Sequence, residues 1–287
     1  MIWPMSSCCE GVDAAEATGQ GAAGGDKPFA SRGVLWRLGR MSRIAWWRGG
    51  VGCLWQAGLL AAAVPGMAAD TSAVRVKERT LAVYPYELAV AGVEGEAELQ
   101  FDVDPGGVAR DIVVVRANEP AFGFAAKAML EAWQFEPRIE NGKAVSALAQ
   151  TLKVRFDSAS SDVALDASAR RLLAELKKDT PDITRAGSLD GVPWAVKTVN
   201  PVHPRDLLKR SGVAGEATID FLVDPNGRVQ LPRIVSATQW EFGWAAATAL
   251  LRFEFTPPMK GGVPTATRMR LPIKFRVPGK PEEKTSS

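Results

Sequence analysis

The sequence has few of the side chains on which metal binding and nucleophilic catalysis depend. Its 287 residues include one histidine and three cysteines, and Cys8, Cys9 and Cys53 all precede residue 70. A mature chain without that leader contains no thiol, which excludes a structural disulfide, a cysteine zinc site and a cysteine nucleophile. The one histidine, His203, directly precedes Pro204 and has no triad or ligand set around it. We therefore predict a structural or surface role for it, and a protein that is not an enzyme and needs no metal or cofactor.

An excess of one charge is also absent. The chain carries 35 Lys and Arg against 32 Asp and Glu, a formal net charge of +3. Binding to nucleic acid needs a basic face that attracts phosphates along its length. The near balance of charge argues against a nucleic-acid partner.

The first 69 residues form a leader. From Met41 the sequence has basic residues, then an apolar run from Val51 to Val64, then small residues up to Ala69. This is the order of a secretory signal peptide, so we predict translation from Met41 and export to the periplasm. The alternative is an uncleaved inner-membrane tether, because Gly49 to Ala69 is uncharged and a spanning helix needs about 20 apolar residues.

A glycine pattern within the leader matches a cofactor motif only in its letters. Residues 19–24 read GQGAAG, which fits G-x-G-x-x-G. That motif binds a dinucleotide only between a strand and a helix, where backbone amides meet the pyrophosphate. The sequence around residues 19–24 has neither a strand pattern before the motif nor a helix pattern after it, so we interpret the segment as a flexible Gly/Ala tract.

An internal duplication is the strongest signal in the chain. GVEGEAELQFDVDPGG from Gly92 recurs as GVAGEATIDFLVDPNG from Gly212, and 19 of 46 positions are identical between residues 92–137 and 212–257. The period of 120 residues is too long for a solenoid, whose repeats span about 20–50 residues. We predict two domains, repeat 1 at 74–157 and repeat 2 at 191–278, with a connector at 158–190 and a disordered tail at 279–287.

Each repeat has the pattern helix, strand, strand, helix, strand. A Tyr-Pro or His-Pro step opens a short helix that ends at Gly92 or Gly212. Alternating apolar residues then predict a half-buried strand, and D-P-G-G or D-P-N-G turns it into a hairpin. Pro232 places the second strand at a sheet edge. The second helix has an apolar stripe and a strand follows; the stripe residues are Phe122, Ala126, Met129 and Trp133, and Phe242, Ala246, Ala249 and Phe253.

The order and spacing of these motifs resemble the TonB C-terminal domain. The resemblance rests on the Y-P or H-P helix start, G-V-x-G-E-A before a strand that ends in V-D-P-x-G, and F-x-P after the second helix, each present twice. It implies an α+β fold, two tandem domains that each place two helices on a three-stranded antiparallel sheet. It also implies contact with outer-membrane TonB-dependent transporters or other envelope proteins, the last strand of the domain accepting an extended peptide, the TonB box.

The candidate site follows from that resemblance. It assigns the peptide-binding edge to the last strands, with the candidate residues Gln150, Thr151, Leu152, Lys153, Val154, Arg155 and Phe156 in repeat 1, and Arg268, Arg270, Lys274 and Arg276 in repeat 2. The basic row of repeat 2 has two interpretations, attraction of an acidic peptide or protection of the edge against aggregation. Because Pro272 interrupts that row, we expect the proline-free edge of repeat 1 to dock peptides better.

Two departures from the family weigh against coupling to an ExbB/ExbD-type motor. The chain has no Pro-rich spacer, and its leader contains no histidine, whereas the family resemblance implies both. An alternative function is therefore a structural or scaffolding role in which the two domains pack on each other and bury their edges. Between them, Leu165, Leu172, Leu173 and Leu176 predict a helical connector of about 16 residues, roughly 24 Å long at 1.5 Å per residue.

Overall fold

The structure, a computed structural model, describes residues 74–209 and 213–277. The leader, its GQGAAG tract, the helix stop predicted at Gly212 and the C-terminal tail lie outside these residues. Repeat 1 and the connector contain the elements β1 (Val76–Glu78), α1 (Tyr86–Ala91), β2 (Gly95–Val103), β3 (Ala109–Ala117), α2 (Pro120–Glu131), β4 (Gln134–Phe135), β5 (Arg138–Glu140), β6 (Lys143–Val145), β7 (Ala147–Phe156) and α3 (Ala167–Leu176).

Repeat 2 has the same succession of elements after a short 3-10 turn at Ala186–Ser188. They are β8 (Ala195–Lys197), α4 (Arg205–Lys209), β9 (Gly215–Val223), β10 (Val229–Ala237), α5 (Trp240–Leu250), β11 (Glu254–Phe255), β12 (Met259–Lys260), β13 (Val263–Pro264) and β14 (Thr267–Phe275).

Each repeat contains a three-stranded antiparallel sheet, in the order β3-β2-β7 and β10-β9-β14. The first long strand is central because its hairpin partner pairs on one side and the last strand of the repeat on the other. This confirms the predicted fold and the edge position of the second strand. The ribbons β1-β4, β5-β6, β8-β11 and β12-β13 were not predicted, since segments of two or three residues are too short to show a period.

Aromatic packing between the second helix and the last strand forms the centre of each core. Phe122 of α2 stacks on Phe156 of β7 with ring centroids 4.4 Å apart, and Phe242 pairs with Phe275 at 4.6 Å. The predicted stripe residues that lie within α2 and α5 are buried. The helices end before the last stripe position, so Trp133 and Phe253 follow α2 and α5; Trp133 is buried and Phe253 is partly buried. Full burial of each such ring contributes about 1.5–3 kcal/mol.

Both hairpins carry a β-bulge in their second strand. Residues 111 and 112 lie opposite Phe101 alone, and residues 231 and 232 lie opposite Phe221 alone. The first residue of each bulge has a positive φ, 48° at Asp111 and 51° at Leu231. Pro232 therefore occupies a bulge on an edge strand, where a missing N–H costs least.

The connector packs against both repeats. Its helix α3 has 10 residues and not about 16. The Asp166 side chain caps the start of the helix by accepting from the Ala169 amide at 2.8 Å, so the helix begins at Ala167. Leu172 and Leu173 of this helix share a buried cluster with Leu222 and Leu231 of repeat 2. No helix within residues 74–209 and 213–277 is long and apolar enough to cross a bilayer.

The two repeats also pack directly on each other. Phe124 of α2 lies against Trp240 of α5 with ring centroids 4.0 Å apart, and Trp244 contacts both hydrophobic cores. Ion pairs cross the same interface; they are Lys127–Asp206 at 2.5 Å, Lys209–Asp111 at 2.6 Å, Arg233–Glu87 at 2.9 Å, and Arg252–Glu78.

Each hairpin turn depends on a glycine that approaches a backbone carbonyl. Gly107 and Gly227 have φ values of 76° and 79°, and a Cβ atom there would lie 2.1 Å and 2.0 Å from the carbonyl oxygens of Phe135 and Phe255. The space beside each glycine is already filled by backbone.

We expect Gly107→Ala to lower the free energy of unfolding by about 2–4 kcal/mol, the sum of a left-handed conformation and a clash that the backbone cannot relieve. Urea unfolding measures this loss. The matched control is Gly142→Ala, because Gly142 has nearly the same φ of 75° but nothing within 4 Å of the added methyl group. Equal losses in the two variants would contradict the role of the close approach.

Candidate functional site

The last strand of repeat 1 presents an edge to solvent. Among the described residues β7 is hydrogen-bonded to β2 and to no other strand. Its apolar side chains face the core, Val154 and Phe156 being buried and Leu152 half-buried, while Thr151, Lys153 and Arg155 are exposed. The backbone N–H and C=O groups directed away from β2 are therefore without a strand partner in this part of the chain, as strand addition requires.

A bulge limits the regular part of this edge. Ala147 pairs with Val103 and Gln150 with Phe101, so Leu148 and Ala149 together lie opposite Asp102. The amide of Ala149, whose φ is 54°, donates to a carboxylate oxygen of Asp102 at 2.8 Å. From residue 150 to 156 the pairing with β2 continues without a shift. Seven residues of regular strand are thus available, the same range as the sequence-predicted edge.

The cations along β7 are partly compensated. The Lys153 ammonium lies 2.7 Å from a carboxylate oxygen of Glu96, and Arg155 lies 3.1 Å from Asp157. The hydrogen bond from Lys153 lowers the pKa of Glu96 below its ordinary value. The two cations of this edge therefore already have acidic partners. A peptide that binds here would interact mainly through hydrogen bonds to the backbone of β7.

Repeat 2 places its predicted residues along a longer uninterrupted ladder. Arg268, Arg270 and Lys274 lie on β14, which pairs with β9 at every position from residue 267 to 275, and Arg276 lies one residue beyond it. Arg270 makes two hydrogen bonds to the Asp220 carboxylate, at 2.5 Å and 2.9 Å, which raise the pKa of its guanidinium. Pro272 is exposed within this ladder.

The connector already occupies the start of the β14 edge. The Thr184 amide donates to the Ala266 carbonyl at 2.8 Å, and the Thr267 hydroxyl donates to the Thr184 carbonyl at 2.8 Å. Thr184 and Thr267 form a parallel bridge. The two edges therefore differ: β14 has a proline and a bound connector, and β7 has neither among its described contacts.

Tyr84 and His203 occupy equivalent places and fix the last strands. The Tyr84 hydroxyl lies 2.7 Å from the carbonyl of Val93 and 3.2 Å from that of Phe156, and burial raises its pKa to about 12. The His203 ring has Nε2 2.9 Å from the Val213 carbonyl and stands edge-on to Phe242 and Phe275. This arrangement supports the structural role predicted for the histidine. Within residues 74–209 and 213–277, no group of three His, Cys, Asp or Glu side chains could hold a metal ion.

Comparison with known proteins assigns the family. The sequence model of the Gram-negative bacterial TonB protein C-terminal region matches residues 81–158 and again residues 199–277. Together the two matches cover more than half of the 287 residues. The chain belongs to the TonB C-terminal family.

Two TonB relatives each match a stretch of about one domain's length. Protein TonB of Vibrio cholerae serotype O1 is 30% identical over 82 residues, which is 28% of this chain and 33% of that protein. The solution NMR structure of the Pseudomonas aeruginosa TonB CTD matches with 20% identity and a TM-score of 0.27, over 31% of this chain and 90% of that one. The chain thus spans about a third of the length of its curated relative.

Two features of the candidate site were not predicted from the sequence. The β7 bulge has no signal of its own, because Ala149 is not a residue that favours a positive φ. The docking of Thr184 on β14 joins residues 83 positions apart, and no local pattern encodes such a contact. The hydrogen bond from the Ala149 amide to Asp102 likewise joins two strands far apart in the chain.

We expect Asp102→Ala to destabilise the bulge by about 1–2 kcal/mol, since it leaves the Ala149 amide without its carboxylate acceptor. Hydrogen exchange at the amides of residues 148–150 measures the effect. Glu98→Ala is the control, because Glu98 is exposed on the same strand and its side chain makes no hydrogen bond to a described residue. Unchanged exchange in the Asp102 variant would show that the bulge does not depend on this contact.

Proposed function

We propose that this protein is a TonB-like periplasmic binding protein that takes up extended segments of envelope proteins by strand addition at β7. The observation that carries the proposal is the edge from residue 150 to 156. It is regular and free of proline, and on the side away from β2 it is paired with no described strand. Membership of the TonB C-terminal family supports a role in transport-related interactions of the cell envelope. The function is binding, and no step of it requires catalysis.

The partners proposed are outer-membrane TonB-dependent transporters or other envelope proteins that expose an extended segment. A seven-residue edge matches a short peptide. Its exposed Lys153 and Arg155 already pair with Glu96 and Asp157, so they add only a weak preference for a segment with acidic side chains. The basic residues Arg268, Arg270, Lys274 and Arg276 extend this preference to β14 if that edge opens. Direct coupling to an ExbB/ExbD-type motor is not part of the proposal, because the leader lacks a histidine and the chain lacks a Pro-rich spacer.

A scaffolding role is the second candidate, and the packing of the two repeats on each other favours it. The Phe124–Trp240 contact and the ion pairs between the repeats are what such a role predicts. That packing involves the helices, β3 and β10, whereas β7 pairs along its length with β2 of its own repeat. Cross-linking from β7 in intact envelopes separates the candidates: transporters captured there support binding, and capture of none supports scaffolding.

Export through the leader is proposed for the location of the protein. We expect N-terminal sequencing of the periplasmic form to find a chain that starts near Asp70. Retention of residues 41–69 in an inner-membrane fraction would contradict cleavage and favour the tether.

The proline of repeat 2 supplies a matched test of the β7 edge. Pro272 pairs with Thr218 in β14, and Lys153 pairs with Glu98 at the equivalent place in β7. An unbroken ladder tolerates proline only where its nitrogen faces away from the partner strand. Lys153→Pro therefore removes a donor from the free edge of β7 while leaving its pairing with β2 intact.

We expect Lys153→Pro to weaken binding of a TonB-box-like peptide at least tenfold, a loss of about 1.4 kcal/mol. Calorimetric titration of the full chain without its leader measures it. Lys153→Ala is the control for the lost Glu96 ion pair and should change affinity only slightly, as exposed pairs contribute about 0–1 kcal/mol. Wild-type affinity in the proline variant would rule out β7 as the docking strand.

A further inference from the structure

A glutamate is buried where the two repeats meet. Glu131 is the last residue of α2 and is 6% exposed. Around it lie residues of repeat 2, namely Val199, Asn200 and Val202 of the loop before α4, Ala245, Thr248 and Ala249 of α5, and Arg252. Acidic side chains are almost never so buried without a partner.

The charged groups around Glu131 are engaged elsewhere. On its own helix, Lys127 pairs with Asp206 of α4 at 2.5 Å, and beyond α5 Arg252 pairs with Glu78. Arg205 of α4 donates to the backbone carbonyl of Glu131 at 2.9 Å and not to its carboxylate. Within the described part of the chain, the Glu131 side chain is in no ion pair, and the loop and α5 residues around it other than Arg252 are uncharged.

Polar groups beside the carboxyl also lack partners. The hydroxyl of Thr248, a residue 2% exposed, and the Arg205 Nε are buried without a hydrogen bond to any described residue. A cavity of about 20 Å³ between α2, α5 and the loop is lined by Glu131, Thr248 and Asn200. That volume suffices for one water molecule, which needs two to four polar partners. At the equivalent positions of repeat 1, Ala128 replaces Thr248 and Ala132 replaces Arg252. The polar groups beside Glu131 are therefore not duplicated in the other repeat.

We propose that Glu131 is a pH-responsive latch between the two repeats. As a neutral acid it fits the interface and donates a hydrogen bond toward the Thr248 hydroxyl or a water in the adjoining cavity. As a carboxylate it is a buried charge without a direct partner, and it weakens the packing of α2 on repeat 2.

The direction of the pH dependence follows from burial. Desolvation raises the pKa of Glu131 from 4.5 to about 7, and the charges of Lys127 and Arg205 oppose that rise without cancelling it. Asp206 adds to the rise, while Asp104 and Arg110 act on Arg205. Because the pKa is higher in the folded state than in the unfolded one, the contribution to stability is complete below about pH 4.5. This contribution is lost as the pH rises to about 7, and above that pH the stability no longer changes through Glu131.

Urea unfolding of the full chain without its leader, from pH 4.5 to 8.5, tests the latch. We expect the unfolding equilibrium constant of the wild type, divided by that of Glu131→Gln, to rise roughly tenfold to a hundredfold between pH 5 and pH 7.5. The control Glu119→Gln changes an exposed glutamate at the other end of α2 and should give a constant ratio. A constant ratio for Glu131→Gln, or a fall, overturns the proposal.

A double-mutant cycle shows whether the effect crosses the interface. Glu131→Gln combined with Arg205→Gln should give a severalfold coupling at pH 8, where carboxylate and guanidinium are both charged, and none at pH 5. Coupling absent at both pH values would confine Glu131 to repeat 1 and overturn the latch. An NMR titration of Glu131 in the unmodified chain is independent of whether the variants fold. A midpoint near neutrality supports the proposal, and a midpoint near 4.5 contradicts it.

Discussion

A phenylalanine on the second helix packs against a phenylalanine at the end of the last strand, once in each repeat. These pairs, Phe122–Phe156 and Phe242–Phe275, hold the helix on the sheet and the last strand in place. The side chains on the inner face of the last strand are held by the core, and those on its outer face alternate with them. The outer face and the backbone at the strand edge can therefore contact other segments. Tyr84 packs edge-on against Phe156 in repeat 1, and His203 packs edge-on against Phe275 in repeat 2. A tyrosine and a histidine can therefore occupy equivalent positions in the two repeats.

The duplication has produced two domains with one fold and unequal edges. In repeat 1 a bulge capped by Asp102 leaves seven regular residues of β7 beyond it. In repeat 2 the ladder is longer, but Pro272 and the docked Thr184 occupy parts of its edge. Strand addition depends on unpaired backbone groups, so a difference in a few contacts at the edge separates the two copies without altering their cores.

Contacts between the repeats make the connector and the helices part of one structure. The leucines of α3 lie in a buried cluster that contains residues of both repeats, and Trp244 contacts both cores. A chain of two small domains gains buried surface in this way, since a domain of about 80 residues buries a smaller fraction of its surface than a larger one. The same interface encloses Glu131, the residue proposed as a latch between the repeats.

The sequence by itself determined the duplication, the α+β order and the half-buried character of β2 and β9. Those features depend on local periodicity and on turn residues such as Asp104, whose carboxylate accepts from the Gly106 and Val108 amides. Only the tertiary structure decided that the connector helix ends after 10 residues, that Thr184 covers the start of β14, and that Glu131 is buried against repeat 2. These contacts join residues far apart in the chain, and their energies depend on which surfaces meet, which no local pattern records.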